Sequence, residues 1–367
     1  MEMKDVYIRF MVALFFAITS LSCSKEQLTF ESDPADLSNS QNEFQKKKNS
    51  SSGKPGGEII FTINESSYDL IGNPGSCKST DFSQVLSGYF NEIFADPYFD
   101  FDLLNYYKEL NKKYVTYYVG DNYYGENGEY NQLAKKRIRE LTKFWNLNRE
   151  IRLNGQHTAF LNDREILTDM IESFDRTIRN RTQAYEKADL LLELNAKSSV
   201  FPENPYFAFD AFTKSNGLLV IVDGIIESLI ETGIDEKIAF STVLAHEWWH
   251  QVQYEYNEEW HFLDQLLNSS ERSRFLELEA DFAASYFLTH KRGATYNWKR
   301  IEEYFTLSFN VGDCLVQSNQ HHGTPIQRLN AAKLGYELAD SAQKKGFILS
   351  PTEVHDAFIK IYDTTIL

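Results

Sequence analysis

The stretch that most constrains this chain is Ile238-Ala239-Phe240-Ser241-Thr242-Val243-Leu244-Ala245-His246-Glu247-Trp248-Trp249-His250-Gln251-Val252-Gln253, which follows a helix start at Asp235. It is dominated by apolar residues, yet it sets two histidines and an acid among them. Two histidines at i and i+4 lie one turn apart on one helical face, so both imidazoles can bind a single ion. Zinc suits nitrogen donors and, where it does chemistry, takes three protein ligands and a water. Glu247 follows His246 and can reach that water from the side without coordinating the ion, which suits a base that accepts its proton. The competing reading is a pair of solvated helix histidines beside an acid. The apolar approach Val243-Leu244-Ala245 weighs against it, because a buried His-Glu-His group is costly unless something satisfies it.

A third ligand is expected on another helix, and the segment from Ser270 to His290 offers one, with Ser270 as its start and Gly293 as its stop. It contains Glu277-Leu278-Glu279-Ala280-Asp281. Glu277 and Asp281 are i and i+4 and share a face, whereas Glu279 points about 200 degrees away. Glu277 is therefore the expected ligand, and Glu279 would serve only on a distorted helix. Asp281 is placed to accept from the second ring nitrogen of a ligand histidine and fix its tautomer. Ala280, Ala283 and Ala284 are small enough to let this helix approach the first closely.

Around these two helices the 367 residues divide as follows. Lys4 and Arg9 precede an apolar run from Phe10 to Ile18, and Ser20-Leu21-Ser22-Cys23 follows, so residues 1–22 read as a signal peptide. The run is shorter than the roughly 20 residues needed to cross a bilayer. The order before Cys23 resembles a bacterial lipobox, with Leu displaced by one position, which makes Cys23 the lipidation site; ordinary secretion with cleavage nearby is the alternative. Residues 23–57 then form a polar, low-complexity tether. Residues 58–160 are expected to be an N-terminal helical subdomain of unreadable role, opening with a strand-like run at Ile59, Ile60, Phe61 and Ile63. Its helices are expected at about Asp81 to Phe94, Asp102 to Lys113 and Asn131 to Trp145. Residues 161–367 hold the metal motif, with one long helix from Asn162 to Asn195, capped by Asn162 or Asp163, and a strand at Leu218 to Val222. The Tyr-rich segment from Tyr89 to Tyr130 reads as a packed surface in preference to a glycan platform. With 37 Lys plus Arg against 53 Asp plus Glu, the net charge of -16 argues against a nucleic-acid partner, which needs clustered positive charge. If Cys23 is lipidated, Cys77 and Cys314 remain, either as a disulfide or as two buried thiols.

His246-Glu247-Trp248-Trp249-His250 followed by Glu277-Leu278-Glu279-Ala280-Asp281 resembles the gluzincin-type zinc metallopeptidases, in particular the M48-like neutral zinc metallopeptidase group. His322-Gly323-Thr324-Pro325-Ile326-Gln327-Arg328 is similar to a later block of that group. The resemblance covers about Asn204 to Leu338. It implies an α+β fold, a mainly helical zincin-like metallopeptidase domain with a small sheet behind the helical N-terminal region. It further implies one zinc ion on His246, His250 and Glu277, Glu247 as catalytic base and Asp281 behind the ligands. An edge strand near Asp210-Ala211-Phe212 would align a peptide or protein substrate by backbone pairing. His322 or Arg328 would donate to the developing oxyanion; the alternative is that His321 and His322 cap a surface turn. The adjacent tryptophans depart from the family pattern and would either pack in the core or narrow the cleft. The expectation is thus an extracytoplasmic lipoprotein peptidase, periplasmic or at the cell surface and membrane-anchored. The alternative is a surface lipoprotein with a structural or vestigial zinc site that binds a protein or glycan.

Overall fold

The computed structural model describes residue 77 and residues 79–261, 264, 266, 268–314, 321–345 and 347–362. The expected signal peptide, Cys23, the tether and the strand-like run at 59–63 lie outside the described residues. The described chain is mainly helical with one small sheet, in agreement with the α+β expectation.

Three helices come first: α1 (Asp81–Ala95), α2 (Phe101–Tyr117) and α3 (Asn131–Trp145), close to the expected spans. Thr80 caps α1 by accepting from Ser83 N, and Asp100 caps α2 by accepting from Asp102 N and Leu103 N. Their buried faces are strongly aromatic. Tyr107 is fully buried and donates to Asn195 Oδ1, so part of the Tyr-rich segment is core.

β1 (Arg152–Gln156) was not legible in the sequence, because Arg-Leu-Asn-Gly-Gln carries no alternation. Its place is fixed by pairing. It runs parallel to β3 (Leu218–Val222), with Asn154 opposite Val220. Between them in sequence lies β2 (Phe212–Thr213), antiparallel to β3, so the sheet order is β1-β3-β2. The central strand Leu-Leu-Val-Ile-Val is buried on both faces, which is why it reads as a continuous apolar run. Gly217, at φ +87°, closes the β2–β3 turn where a side chain would be strained. The sheet joins residues from either side of position 160.

The long helix expected from Asn162 to Asn195 is instead two, α4 (Arg164–Phe174) and α5 (Arg181–Asn195). Asp163 caps the first and Asn180 the second. The break is made by Asp175, whose carboxylate accepts from Thr177 N and Oγ1 and so diverts the backbone from helix. Apolar spacing continues across this short turn, which is why periodicity alone runs the two together.

β3 leads directly into α6 (Asp223–Glu231). α7 (Glu236–Trp260) follows, capped by Asp235 through Lys237 N and Ile238 N. It is buried on every side from Ile238 to Gln253, so it is the central helix of the molecule. α8 (Ser269–Thr289) packs against it. Its cap is Asn268, not Ser270, and it ends at His290, with Gly293 only in the turn beyond. α9 (Trp298–Asn310), α10 (Pro325–Lys345) and α11 (Pro351–Ile361) complete the fold. Gly335 of α10 sits where a Cβ would lie 2.0 Å from Phe282 O, so α8 and α10 touch backbone to backbone. Among the described residues no helix is long and apolar enough to cross a membrane.

Candidate metal centre

α7 and α8 bring His246, His250 and Glu277 together, with one ligand atom from each within 4.8 Å of the others. All three are buried. His246 Nε2 lies 3.2 Å from Glu277 Oε2, and His250 Nε2 lies 3.5 Å from Glu277 Oε1. The two imidazoles stand nearly perpendicular, their centroids 4.8 Å apart.

Each ring is held from behind. His246 Nδ1 donates to Asp281 Oδ1 at 3.0 Å, and His250 Nδ1 donates to Gln253 Oε1 at 2.7 Å. Asp281 is in turn gripped by Arg328, which donates through Nε at 2.6 Å and Nη2 at 2.8 Å. Burial alone would raise the Asp281 carboxyl, but the Arg328 and His246 charges outweigh it and hold it below the ordinary carboxylate range. Burial likewise disfavours charge on His246, yet its bonds to Asp281 and Glu277 push it up to about 9. An anion-rich pocket around two Nε2 atoms suits a divalent cation, which takes the place of a proton on such a ring. Two imidazoles and a carboxylate, each ring braced through Nδ1, form a donor set of the kind that binds zinc and leaves a coordination position for water.

Glu247 lines the same cavity as His246 and Glu277, a space of about 60 Å³ that Ile225, Leu229 and Val243 also line. Thr213 Oγ1 of β2 donates to Glu247 Oε2 at 2.7 Å. Sequence reasoning missed Thr213, which follows the expected edge-strand residues Asp210 to Phe212 and carries no motif of its own. His322 is also at the cavity, its Nδ1 3.2 Å from Glu277 Oε2. It is buried, as is His321, and neither caps a surface turn. Asp313 holds this pair, accepting from His321 Nδ1 and from His322 N, each at 2.7 Å. Asp313 was another residue that the sequence did not single out. Arg328 lines the cavity; its Nε and Nη2 donate to Asp281, and its Nη1 lies 3.7 Å from Glu277 Oε2. Trp248 and Trp249 are buried and line none of this cavity, so they do not narrow it; Trp249 packs edge-on against Trp145. Glu279 faces away from the three ligands, toward Gln253 and His355, as an undistorted helix requires.

Compared with protein-family models, with curated proteins and with solved structures, the chain matches none. Function must therefore be argued from this site.

Proposed function

We propose that this protein is a zinc-dependent peptidase with a zincin-like fold, using His246, His250 and Glu277 as ligands and Glu247 as general base. The observation that carries this reading is the position of Glu247, which lines one cavity with the ligand residues His246 and Glu277 and is tied to a sheet edge by Thr213. Zinc at such a site supplies Lewis acidity, polarising a carbonyl and making water nucleophilic near neutral pH. Glu247 takes the proton of the attacking water and delivers it to the leaving amine. The hydroxyl of Thr213 holds the carboxylate in line for both transfers. His322 donates to the developing oxyanion. β2 is an edge of the sheet, and Ala211, just before it, lines the cavity, so a substrate backbone pairing there would reach Glu247 in extended form.

One observation favours a second reading. A cavity of about 60 Å³ holds a few waters and is small for a peptide side chain. A surface protein with a structural or vestigial zinc site, binding a protein or glycan elsewhere, would need no more. Structural zinc sites are closed by four protein ligands, however, and among the described residues three converge here.

The test is metal content together with hydrolysis of denatured casein by the intact chain and by Glu247→Gln. One zinc per chain in both proteins, with cleavage lost in the variant, supports the peptidase. Zinc without cleavage in either moves the assignment to the binding protein, and no zinc removes the site. The disulfide described below supports an oxidising, extracytoplasmic compartment, consistent with anchoring through Cys23. Lipid labelling that disappears in Cys23→Ala would support the anchor, and labelling that persists would rule it out.

A further inference from the structure

A chain of buried hydrogen bonds runs from His250 through residues that do not line the cavity. His250 Nδ1 meets Gln253 Oε1 at 2.7 Å. The amide nitrogen of Gln253 donates one hydrogen to Leu276 O at 3.0 Å and the other to Glu279 Oε2 at 2.7 Å. Glu279 Oε1 accepts from His355 Nδ1 of α11 at 2.5 Å, and the His355 ring is stacked on Trp260 at 3.8 Å. Gln253, Glu279 and His355 are all buried, and Glu279 has no exposure at all.

This arrangement leaves Gln253 no choice of orientation. Turning its amide over would set its carbonyl oxygen against two acceptors, Leu276 O and the Glu279 carboxylate, and its NH2 against His250. A buried group left facing its own kind loses its hydrogen bonds with no water to replace them. With the amide fixed, Gln253 Oε1 can only accept, so His250 must carry its proton on Nδ1. The lone pair of His250 is then on Nε2, facing Glu277.

We propose that Gln253 is a positioning residue for the metal centre. Oriented by Glu279, it commits His250 to offering Nε2, while His355 holds Glu279 in place. The proposal rests on the metal-binding reading above. It gives the two histidines different supports, a carboxylate paired with Arg328 behind His246 and a neutral amide backed by a carboxylate behind His250. It also gives Glu279 a role that a solvated helix face would not need.

The experiment compares the full-length wild type with Gln253→Met, which keeps the volume and replaces the amide oxygen that accepts from His250 by, at most, a weak thioether acceptor. Zinc dissociation constants are measured by competition with a chromophoric chelator, and visible spectra are recorded with cobalt(II) in place of zinc. Zinc binding weakened about 10- to 100-fold, with a changed cobalt spectrum, is the expected result. Equal affinity and an unchanged spectrum would overturn the proposal while leaving the metal centre intact, whereas a wild type that binds neither metal would remove the centre itself. If circular dichroism shows that the variant does not fold, the decision passes to zinc-loaded wild type with ¹⁵N-labelled histidine. There, zinc on His250 Nε2 with a proton on Nδ1 supports the proposal, and zinc on Nδ1 overturns it.

Discussion

Thr213 donates to Glu247 at 2.7 Å, and on the proposed function this contact holds the general base. A hydrogen bond to a charged group contributes about 1.5–3 kcal/mol, and about 1.4 kcal/mol is a tenfold change in rate. Thr213→Val keeps the shape and removes the donor. It is expected to lower kcat on the order of tenfold or more while zinc content stays at the wild-type level, as read by steady-state kinetics and metal analysis. Asp281 belongs to a different class, since it is buried between Arg328 and His246. Asp281→Ala leaves the Arg328 guanidinium buried without its carboxylate, and breaking a buried pair in this way costs about 3–5 kcal/mol. Urea denaturation should show that loss, and chelator competition should show weaker zinc. His246, His250 and Glu277 were legible in the sequence because helical periodicity sets which side chains share a face. Thr213 was not, because its partner comes from an element remote in sequence and only folding brings the two together.

The α4–α5 hairpin turns on Asp175, which accepts from Lys187 Nζ at 2.6 Å and Tyr106 Oη at 2.8 Å as well as from Thr177. Burial raises its carboxyl, but these donors outweigh burial and hold it well below the usual carboxylate range. A depressed folded value means the stabilisation is fully present above the unfolded value of about 3.9 and is lost as pH falls from there through the folded value. Asp175→Asn is therefore expected to destabilise by ~1–3 kcal/mol at neutral pH. The gap to wild type should narrow progressively below about pH 4 in chemical denaturation, and a gap independent of pH would contradict this account. The same residue shows why the hairpin was read as one helix: apolar spacing records which face is buried, and a short polar turn leaves that spacing nearly in phase. β1 was missed for a related reason. Its buried Asn154 is satisfied by Val115 O and Tyr118 O, so a polar residue sits where alternation would have called for an apolar one. α7 and β3 were legible from their apolar runs, and α8 from the i and i+4 pair Glu277 and Asp281 between expected helix boundaries, although its cap proved to be Asn268. At the α8–α10 contact, Gly335→Ala sets a Cβ against Phe282 O. Overpacking costs about 1–3 kcal/mol, more than the ~1 kcal/mol that alanine returns in helix propensity. Since α8 carries Glu277 and α10 carries Arg328, the melting temperature and the zinc affinity should fall together.

Across the whole molecule, the described N-terminal end is tied to the His322 side of the cavity. Cys77 and Cys314 form a disulfide with Cα atoms 5.6 Å apart, closing a separation of 237 residues, so of the two alternatives open at the sequence level the bonded one is found. Sequence alone cannot choose between them, because nothing local records which distant segments meet. Beside the disulfide, Thr80 Oγ1 donates to Asn310 O at 2.7 Å, and Asp313 N donates to Gly323 O at 2.9 Å. Asp313 holds His321 and His322. The crosslink is therefore adjacent to the residue that places His322, whereas His246, His250 and Glu277 stand on α7 and α8, which are braced by their own packing. Loss of a native disulfide typically costs about 2–5 kcal/mol, with long loops toward the upper end. Replacing both cysteines by serine is expected to lower the melting temperature by that mechanism. On the proposed function it should also separate two properties of the site: zinc affinity, assigned there to residues of α7 and α8, should change little, while kcat, assigned there a contribution from His322, should fall. Parallel losses of zinc and kcat would mean instead that the crosslink supports the metal helices themselves.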